Sequence, residues 1–276
     1  MGCAPRLAKL RKRSTVVMVA FANIALQSGD RALATGGTQS GKSTLCAGSP
    51  EYRFDLTLCG DYVRKYNNTA DNGKLLIVDS KPRFRAAWRI DGLRDARRYK
   101  DWGYGPEIPN STRVDPGDFA GFKRALAMSP IIIVQTDRVD LEAPSVMALV
   151  DRFRRTAGRK HKRMVYFDEL MDFYNQSGQP LKGCGNVALR CARAGAERDL
   201  TSLFATQRAK GIPPQLWELI NKLYLFRMDL EQDMTRVREA GVPPSLWPPE
   251  EDHIFKFWTK KARREVYGPY ALKMAA

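Results

Sequence analysis

The stretch that decides the fold is Gly36-Gly37-Thr38-Gln39-Ser40-Gly41-Lys42-Ser43-Thr44. It fits the phosphate-binding loop pattern, in which four residues separate a glycine from Gly-Lys-Ser/Thr. We expect Gly36 and Gly41 to adopt positive φ, so that the backbone curls and its N–H groups form a nest for phosphate oxygens. Lys42 then offers a charge to the outer phosphates, and Ser43 offers a hydroxyl to Mg²⁺. The stretch therefore predicts a nucleotide-binding site in which every one of its nine residues takes part.

The flanks of this loop agree with a strand–loop–helix unit. Residues 31–35 are short and apolar enough to be a buried strand, and a helix can open at Lys42. Gly48, Ser49 and Pro50 predict that this helix stops early, and Ser49 with Pro50 is expected to cap a second helix that runs to about Tyr66.

Two later strand ends carry the polar groups that hydrolysis of a phosphoanhydride needs. Residues 164–167 form an apolar run that ends in Asp168 and Glu169. In a parallel sheet these carboxylates reach the same edge as the phosphate loop, where Asp168 can hold Mg²⁺ and Glu169 can deprotonate the attacking water. Gln207 ends the next strand, and its amide is expected to contact the γ-phosphate or that water.

Apolar runs alternate with helical patterns through most of the chain, which predicts an α/β fold with a mostly parallel sheet and helices on both faces. A closing β-hairpin is expected over residues 253–270. The Gly/Pro/Asn-rich residues 99–118 are interpreted as a long surface connection, and Pro144 as the start of a helix. We expect residues 1–15 to be a basic flexible arm and residues 16–276 to be a single domain.

The composition points to a polyanionic partner. Of 276 residues, 46 are Lys or Arg and 30 are Asp or Glu, which gives a formal charge of +16. Nucleic acid is the first candidate partner and an anionic membrane surface the second. Val16–Leu26 is about half as long as a membrane span, so we expect no transmembrane helix and no secretion. The five cysteines show no C-x-x-C spacing, which disfavours a structural zinc site.

Three segments together resemble the FtsK–HerA superfamily of P-loop ATPases. They are the phosphate loop at 36–44, Val165-Tyr166-Phe167-Asp168-Glu169, and Leu203-Phe204-Ala205-Thr206-Gln207-Arg208 followed by Gly211-Ile212-Pro213. Within the superfamily the short chain is similar to the genome-packaging ATPases of membrane-containing viruses with double-jelly-roll capsids, such as tectiviruses.

That resemblance implies a RecA-like core, ATP and Mg²⁺ as ligands, and a ring, expected to be a hexamer, that threads double-stranded DNA. It also implies capsid-vertex or membrane proteins of the virion as partners, and a location in the host cytoplasm and at the packaging vertex. The family's arginine finger has no single match here. Arg198 is the first choice for it and Arg193 the second.

Other functions remain open at this point. They are a cellular or plasmid DNA translocase of the HerA/FtsK type, an assembly or secretion ATPase as in filamentous phage, and a small-molecule kinase or regulatory P-loop protein. If DNA is the partner, the expected contacts are the basic turn 159–163, the polar loop 175–185 and the arginine-rich stretch after Lys81.

Overall fold

Ten strands form one continuous sheet in the computed structural model, which describes residues 24–50, 52–90, 106–243, 247–260 and 266–272. The strands are β1 (Arg31–Thr35), β2 (Lys74–Asp79), β3 (Arg85–Arg89), β4 (Glu107–Val114), β5 (Ile131–Gln135), β6 (Arg163–Phe167), β7 (Leu200–Thr206), β8 (Lys222–Phe226), β9 (Ile254–Thr259) and β10 (Val266–Ala271). Their order is β10-β9-β8-β1-β7-β6-β2-β5-β4-β3. Strands β1–β8 pair in parallel, and β9 and β10 add an antiparallel hairpin. The predicted sheet and closing hairpin are confirmed.

Helices cover both faces of this sheet. Their bounds are α1 (Lys42–Ala47), α2 (Leu58–Tyr66), α3 (Phe119–Met128), α4 (Val139–Arg155), α5 (Val187–Arg198), α6 (Pro214–Leu219) and α7 (Glu231–Glu239). Single 3₁₀ turns lie at Phe54–Leu56, Leu170–Phe173 and Ala209–Gly211. None of the helices within the described ranges combines the length and the apolar character that crossing a bilayer requires.

Successive residues of the central strands feed two separate cores. Leu76 and Val78 pack with α3–α7 on one face, whereas Leu75 and Ile77 pack with α1 and α2 on the other. This alternation follows from the two-residue period of a strand, and burial on both faces explains the continuous apolar runs. At the end of the predicted apolar run Val16–Leu26, Ile24 and Leu26 are buried in the second core. Residues 16–23 and the predicted arm at 1–15 lie outside the described residues.

The prediction of a surface connection over residues 99–118 is wrong in its second half. Residues 107–114 form β4, which pairs with β5 on one side and β3 on the other. The strand contains Pro109 and also Asn110, which has φ of 57°. Both residue types are typical of turns, so the sequence pattern does not predict a strand here. The Oγ atom of Ser111 accepts a hydrogen bond from the N–H of Ala87 and donates one to the carbonyl of Ile108. Tertiary pairing therefore stabilises a strand that its own residues do not favour.

Two helix starts also differ from the sequence prediction. The helix that ends at Tyr66 begins at Leu58, and its cap is Thr57, whose hydroxyl accepts from the N–H of Gly60 at 3.1 Å. Ser49 and Pro50 precede a 3₁₀ turn instead. Helix α4 begins at Val139, so Pro144 lies inside it. Pro144 is the sixth residue of this helix, so the helix lacks the hydrogen bond that an N–H there would donate to the carbonyl of Asp140. Burial of its neighbours Ala143, Val146 and Met147 in the core holds the helix together across this gap.

A buried ion pair fastens the start of β1 to β8. The carboxylate of Asp30 lies 2.7 Å from the Nζ atom of Lys222, and both side chains are almost fully buried. Asp30 also accepts hydrogen bonds from the N–H of Gln27 and from the side-chain amide of Asn221. The phosphate loop leaves the other end of β1, so this pair helps to fix the register of the strand that presents the loop.

We predict that Asp30→Ala lowers the free energy of unfolding by about 3 kcal/mol, because it leaves the ammonium of Lys222 buried without its counter-ion. Chemical denaturation monitored by circular dichroism measures the change. The matched control is Asp55→Ala, which removes the exposed Arg53–Asp55 pair and is expected to cost less than about 1 kcal/mol. Equal losses in the two variants would contradict a structural role for the Asp30 pair.

Candidate nucleotide-binding and hydrolysis site

The phosphate loop curls between β1 and α1, as its sequence predicts. Positive φ occurs at Gly41, at 100°, and at Gln39, at 60°, but not at Gly36, so the expectation for Gly36 is wrong. Glycine is needed at 36 for another reason: a Cβ atom there would lie 2.6 Å from the Cβ of Phe226 on β8. Close packing against the neighbouring strand, and not a left-handed backbone, therefore requires this glycine.

Lys42 lies inside the loop, with its ammonium on the loop's own carbonyl oxygens. Its Nζ atom donates to the carbonyls of Gly36 at 2.8 Å and Gly37 at 2.6 Å. Burial lowers the pKa of Lys42 to about 8, although the nearby carboxylates of Glu169 and Asp168 oppose that shift. The side chain is thus a desolvated positive charge held at the place where phosphate oxygens are expected.

The two predicted carboxylates lie in the same cleft as the loop. Asp168 and Glu169 follow β6 directly and are both buried. The hydroxyl of Tyr166 donates to the Oδ1 atom of Asp168 at 2.6 Å. The backbone N–H of Gln207 lies 3.3 Å from both carboxylate oxygens of Glu169, and burial raises the pKa of this glutamate. A buried glutamate with a raised pKa is a stronger base than an exposed one.

Gln207 joins the loop to the carboxylates. Its side-chain Oε1 atom accepts a hydrogen bond of 3.0 Å from the hydroxyl of Thr38, while its backbone N–H faces Glu169. Thr38 occupies one of the four variable positions of the motif, so the pattern alone assigns it no partner. The structure therefore brings Gln207, Glu169 and the phosphate loop together, as the sequence prediction of a sensor at this strand end requires.

The cleft between these groups has a volume of about 500 Å³. Its lining combines the loop with the two carboxylates and Gln207, and adds four residues that the sequence analysis did not assign to this site. The four are Ser49, Lys81, Arg83 and His253. Ser49 follows the short helix α1, the two cations follow β2, and His253 precedes β9, so only the tertiary fold collects them at one site.

A carboxylate at the end of β2 holds the segment that carries the two new cations. The Oδ2 atom of Asp79 accepts from the N–H groups of Arg83 and Phe84 and from the side-chain amide of Gln135. Burial, together with the charge of Asp168, raises the pKa of Asp79 to about 7. The sequence signal was the same as for Asp168, an apolar run that ends in an aspartate, but the structure gives Asp79 a positioning role.

The residues at the loop fit Mg²⁺. The hydroxyl of Ser43 and the carboxylate of Asp168 line the same cleft, and both are the hard oxygen ligands that Mg²⁺ prefers. Within the described residues there is no cluster of three or more His, Cys, Asp or Glu side chains that would enclose a metal. Mg²⁺ is usually bound by one or two protein oxygens together with substrate phosphates, so this sparse ligand set suits it.

The two candidate arginine fingers lie away from the cleft of their own chain. Arg193 is exposed on α5 and lines a separate groove of about 1180 Å³. Arg198 is exposed at the end of α5, beside the start of β7 and hence at the edge of the sheet opposite the phosphate loop. An arginine finger acts on a neighbouring copy, so both assignments stay predictions.

The predicted DNA contacts lie in different places. The turn 159–163 precedes β6 at the edge of the sheet opposite the loop, and Arg163 is buried there, donating to Asn72 and Thr156. The first half of loop 175–185 lines the large groove. Most of the arginine-rich stretch after Lys81 falls in 91–105, outside the described residues.

Comparison with known proteins agrees with the fold. No known family profile matches the sequence, and no curated protein matches it. Among solved structures, the chain is similar to the genome packaging NTPase B204 from Sulfolobus turreted icosahedral virus 2 in complex with AMPPCP, with a TM-score of 0.54 and 11% identity over 89% of this chain and 100% of that one.

The DNA-packaging ATPase B204 from Sulfolobus Turreted Icosahedral Virus superposes with a TM-score of 0.50 and 12% identity, over 89% of this chain and 100% of that one. Fold and phosphate loop together define the class of this protein: it is a P-loop NTPase with a RecA-like sheet. The particular solved structures that it resembles in fold are those of viral genome-packaging ATPases.

We predict that Thr38→Val lowers kcat for ATP hydrolysis about fivefold and leaves KM within about twofold. The isosteric change removes one hydrogen bond to Gln207, and a typical hydrogen bond contributes about 1 kcal/mol. Phosphate release at varied ATP concentration measures both constants. Thr38→Ser keeps the hydroxyl and is the matched control, so it should behave as wild type. A rise in KM alone would show that Thr38 binds nucleotide and does not position Gln207.

Proposed function

We propose that this protein is an ATP-driven translocase that packages viral double-stranded DNA into a preformed capsid, working as a hexameric ring. The observation that carries the proposal is the connection between the hydrolysis residues and a basic groove. The segment after Glu169 contains Met171 and Tyr174, and the segment after Gln207 contains Arg208 and Lys210. Both segments line the groove of about 1180 Å³. The fold likeness to viral packaging ATPases and the charge of +16 support the same reading.

In the hydrolysis step the residues of the cleft would position ATP and stabilise developing charge. Lys42 would exchange its contacts with loop carbonyls for contacts with phosphate oxygens, and its burial strengthens that attraction. Glu169 would take the proton of the attacking water, while the Gln207 amide orients that water or the γ-phosphate. Mg²⁺, held through Ser43 and Asp168, would supply charge neutralisation on the phosphates.

The groove has the chemistry of a nucleic-acid backbone site. Its lining contains four basic side chains (Arg193, Arg208, Lys210 and Arg236) and one acidic side chain, Glu239. Between them stand the short polar side chains and peptide groups of 175–179, which suit phosphate and sugar contacts independent of sequence. Asn175 organises this segment, because its side-chain oxygen accepts hydrogen bonds from the N–H groups of Ser177 and Gln179.

A shift of either lining segment is transmitted to the cleft through short, well-packed connections. A Cβ atom on Gly211 would lie 2.5 Å from the Cε of Met171, so the segments after Gln207 and after Glu169 touch each other. The N–H of Lys210 donates to Asp233 at 2.8 Å, which ties the first segment to α7. Movement of Gln207 or Glu169 during hydrolysis would therefore move the groove that grips DNA.

In a ring, residues from one copy would complete the site of the next. Arg198, the first choice for the arginine finger, is exposed and does not line the groove, and no ion pair to it appears among the described residues. An unpaired guanidinium on the surface suits a role toward the phosphates of a neighbouring copy. Capsid-vertex or membrane proteins of the virion would then hold the ring at the packaging vertex.

We predict that duplex DNA stimulates the ATPase rate, and that the stimulation weakens as salt rises because bound cations must be displaced from the phosphates. Lys210→Glu should reduce the apparent DNA affinity and make the salt slope smaller by about one unit, since it removes one phosphate contact. Lys123→Glu, an exposed change on α3 outside the groove and outside the expected DNA contacts, is the matched control. No stimulation at any salt concentration would refute DNA as the partner.

We predict that Lys42→Ala and Glu169→Gln both give assembled viral particles that lack the genome. Lys42→Ala removes the phosphate charge, whereas Glu169→Gln keeps ATP binding and removes the base. The measurement is the amount of nuclease-protected DNA in purified particles, determined by quantitative amplification. The control is Glu231→Gln, which alters an exposed glutamate that pairs with Arg238 and lines neither the cleft nor the groove. Filled particles from the two site variants would overturn the packaging role.

A further inference from the structure

His253 is a residue of the nucleotide cleft that no motif assigns. It stands immediately before β9, and it lines the cleft together with the phosphate loop. Its backbone N–H donates to the carbonyl of Ser40 at 3.0 Å, and its carbonyl accepts from the N–H of Leu272 at 2.8 Å. The residue is therefore held between the loop and the segment that follows β10.

The imidazole itself faces the loop. A Cβ atom on Gly41 would lie 3.2 Å from both the Cα and the Cδ2 atoms of His253, so the edge of the ring rests directly over that glycine. His253 has φ of 59°, in the left-handed region that few residues other than glycine and asparagine occupy. Such conformations are retained where the surrounding contacts fix them, often at ligand sites.

The strand order decides which end of a nucleotide His253 would meet. Glu169 and Gln207 leave β6 and β7, which lie on one side of β1, and they mark the end of the cleft where the γ-phosphate is attacked. His253 belongs to the β8–β9 side, on the opposite flank of β1. A nucleotide laid along the loop with its γ-phosphate at Glu169 therefore directs its nucleoside toward His253.

The chemistry of the ring suits that position. Among the described residues that line the cleft, His253 has the only aromatic ring, and the others offer hydroxyls, amides, carboxylates or cations. An imidazole can stack on a base through its face or exchange hydrogen bonds with a ribose hydroxyl through its nitrogens. We propose that His253 contacts the nucleoside of bound ATP and so makes the start of the C-terminal hairpin part of the nucleotide site. This inference rests on the ATP site described above.

The test compares a ligand that has a nucleoside with one that lacks it. ADP and pyrophosphate offer similar phosphate groups to the loop, and neither is a substrate for hydrolysis of a γ-phosphate. We expect His253→Asn to raise the Kd for ADP about three- to tenfold and to leave the Kd for pyrophosphate within about twofold, both measured by isothermal titration calorimetry. Asparagine tolerates the left-handed backbone, so this change removes the ring without altering the chain path.

Two results would overturn the proposal. Equal weakening of ADP and pyrophosphate would show that His253 only shapes the phosphate loop, and unchanged binding of both would show that it makes no nucleotide contact. His253→Gly provides a second variant whose backbone also accepts the left-handed conformation, and circular dichroism checks that each variant is folded. The assay needs neither DNA nor hydrolysis. A protein that fails to respond to DNA therefore still tests His253, and failure of the His253 proposal leaves the packaging role intact.

Discussion

The order β8-β1-β7-β6 at the centre of the sheet is the constraint on which the rest of the structure depends. The carboxyl ends of parallel strands lie at one edge of the sheet. This order therefore places the phosphate loop, Gln207 and the Asp168–Glu169 pair side by side, although they are far apart in the sequence. The register of these strands is fixed by burial on both faces, because a shift of one residue in any central strand would exchange the side chains of the two cores. Packing far from the cleft therefore sets its geometry.

Electrostatics within the cleft follow from that geometry. Lys42, Asp168, Glu169 and Asp79 are all buried at one edge, where low solvent content makes each charge costly and each attraction strong. The pKa of Lys42 is lowered and those of Glu169 and Asp79 are raised, so burial moves every one of the three toward its neutral form. Bound phosphate would favour the charged form of the lysine, and a bound divalent cation would favour the charged forms of the carboxylates. Such a site is therefore stabilised most when polyvalent phosphate and a divalent cation bind together.

The groove next to the cleft is connected to the hydrolysis residues, so that a movement at one site would reach the other. The segments that line it begin at the two residues that would sense hydrolysis, and they touch through Met171 and Gly211. A compact core transmits small displacements because it has few voids in which to absorb them. On the other flank, His253 and Leu272 join the C-terminal hairpin to the loop, so nucleotide binding and the outer strands are mechanically connected as well.

The sequence by itself determined the phosphate loop, the acidic end of β6, the glutamine after β7 and a mostly parallel sheet, because each depends on local spacing or on continuous apolar runs. It did not determine β4, whose Pro109 and Asn110 are typical of a turn and whose later residues, Ser111–Val114, pair with β5 only in the folded sheet. Nor did it determine the reason for Gly36, which lies in Phe226 almost two hundred residues away. The positions of Lys81, Arg83 and His253 were likewise decided only by the tertiary structure. Their contacts are set by which strands become neighbours, and strand order is a property of the packed sheet that no local pattern encodes.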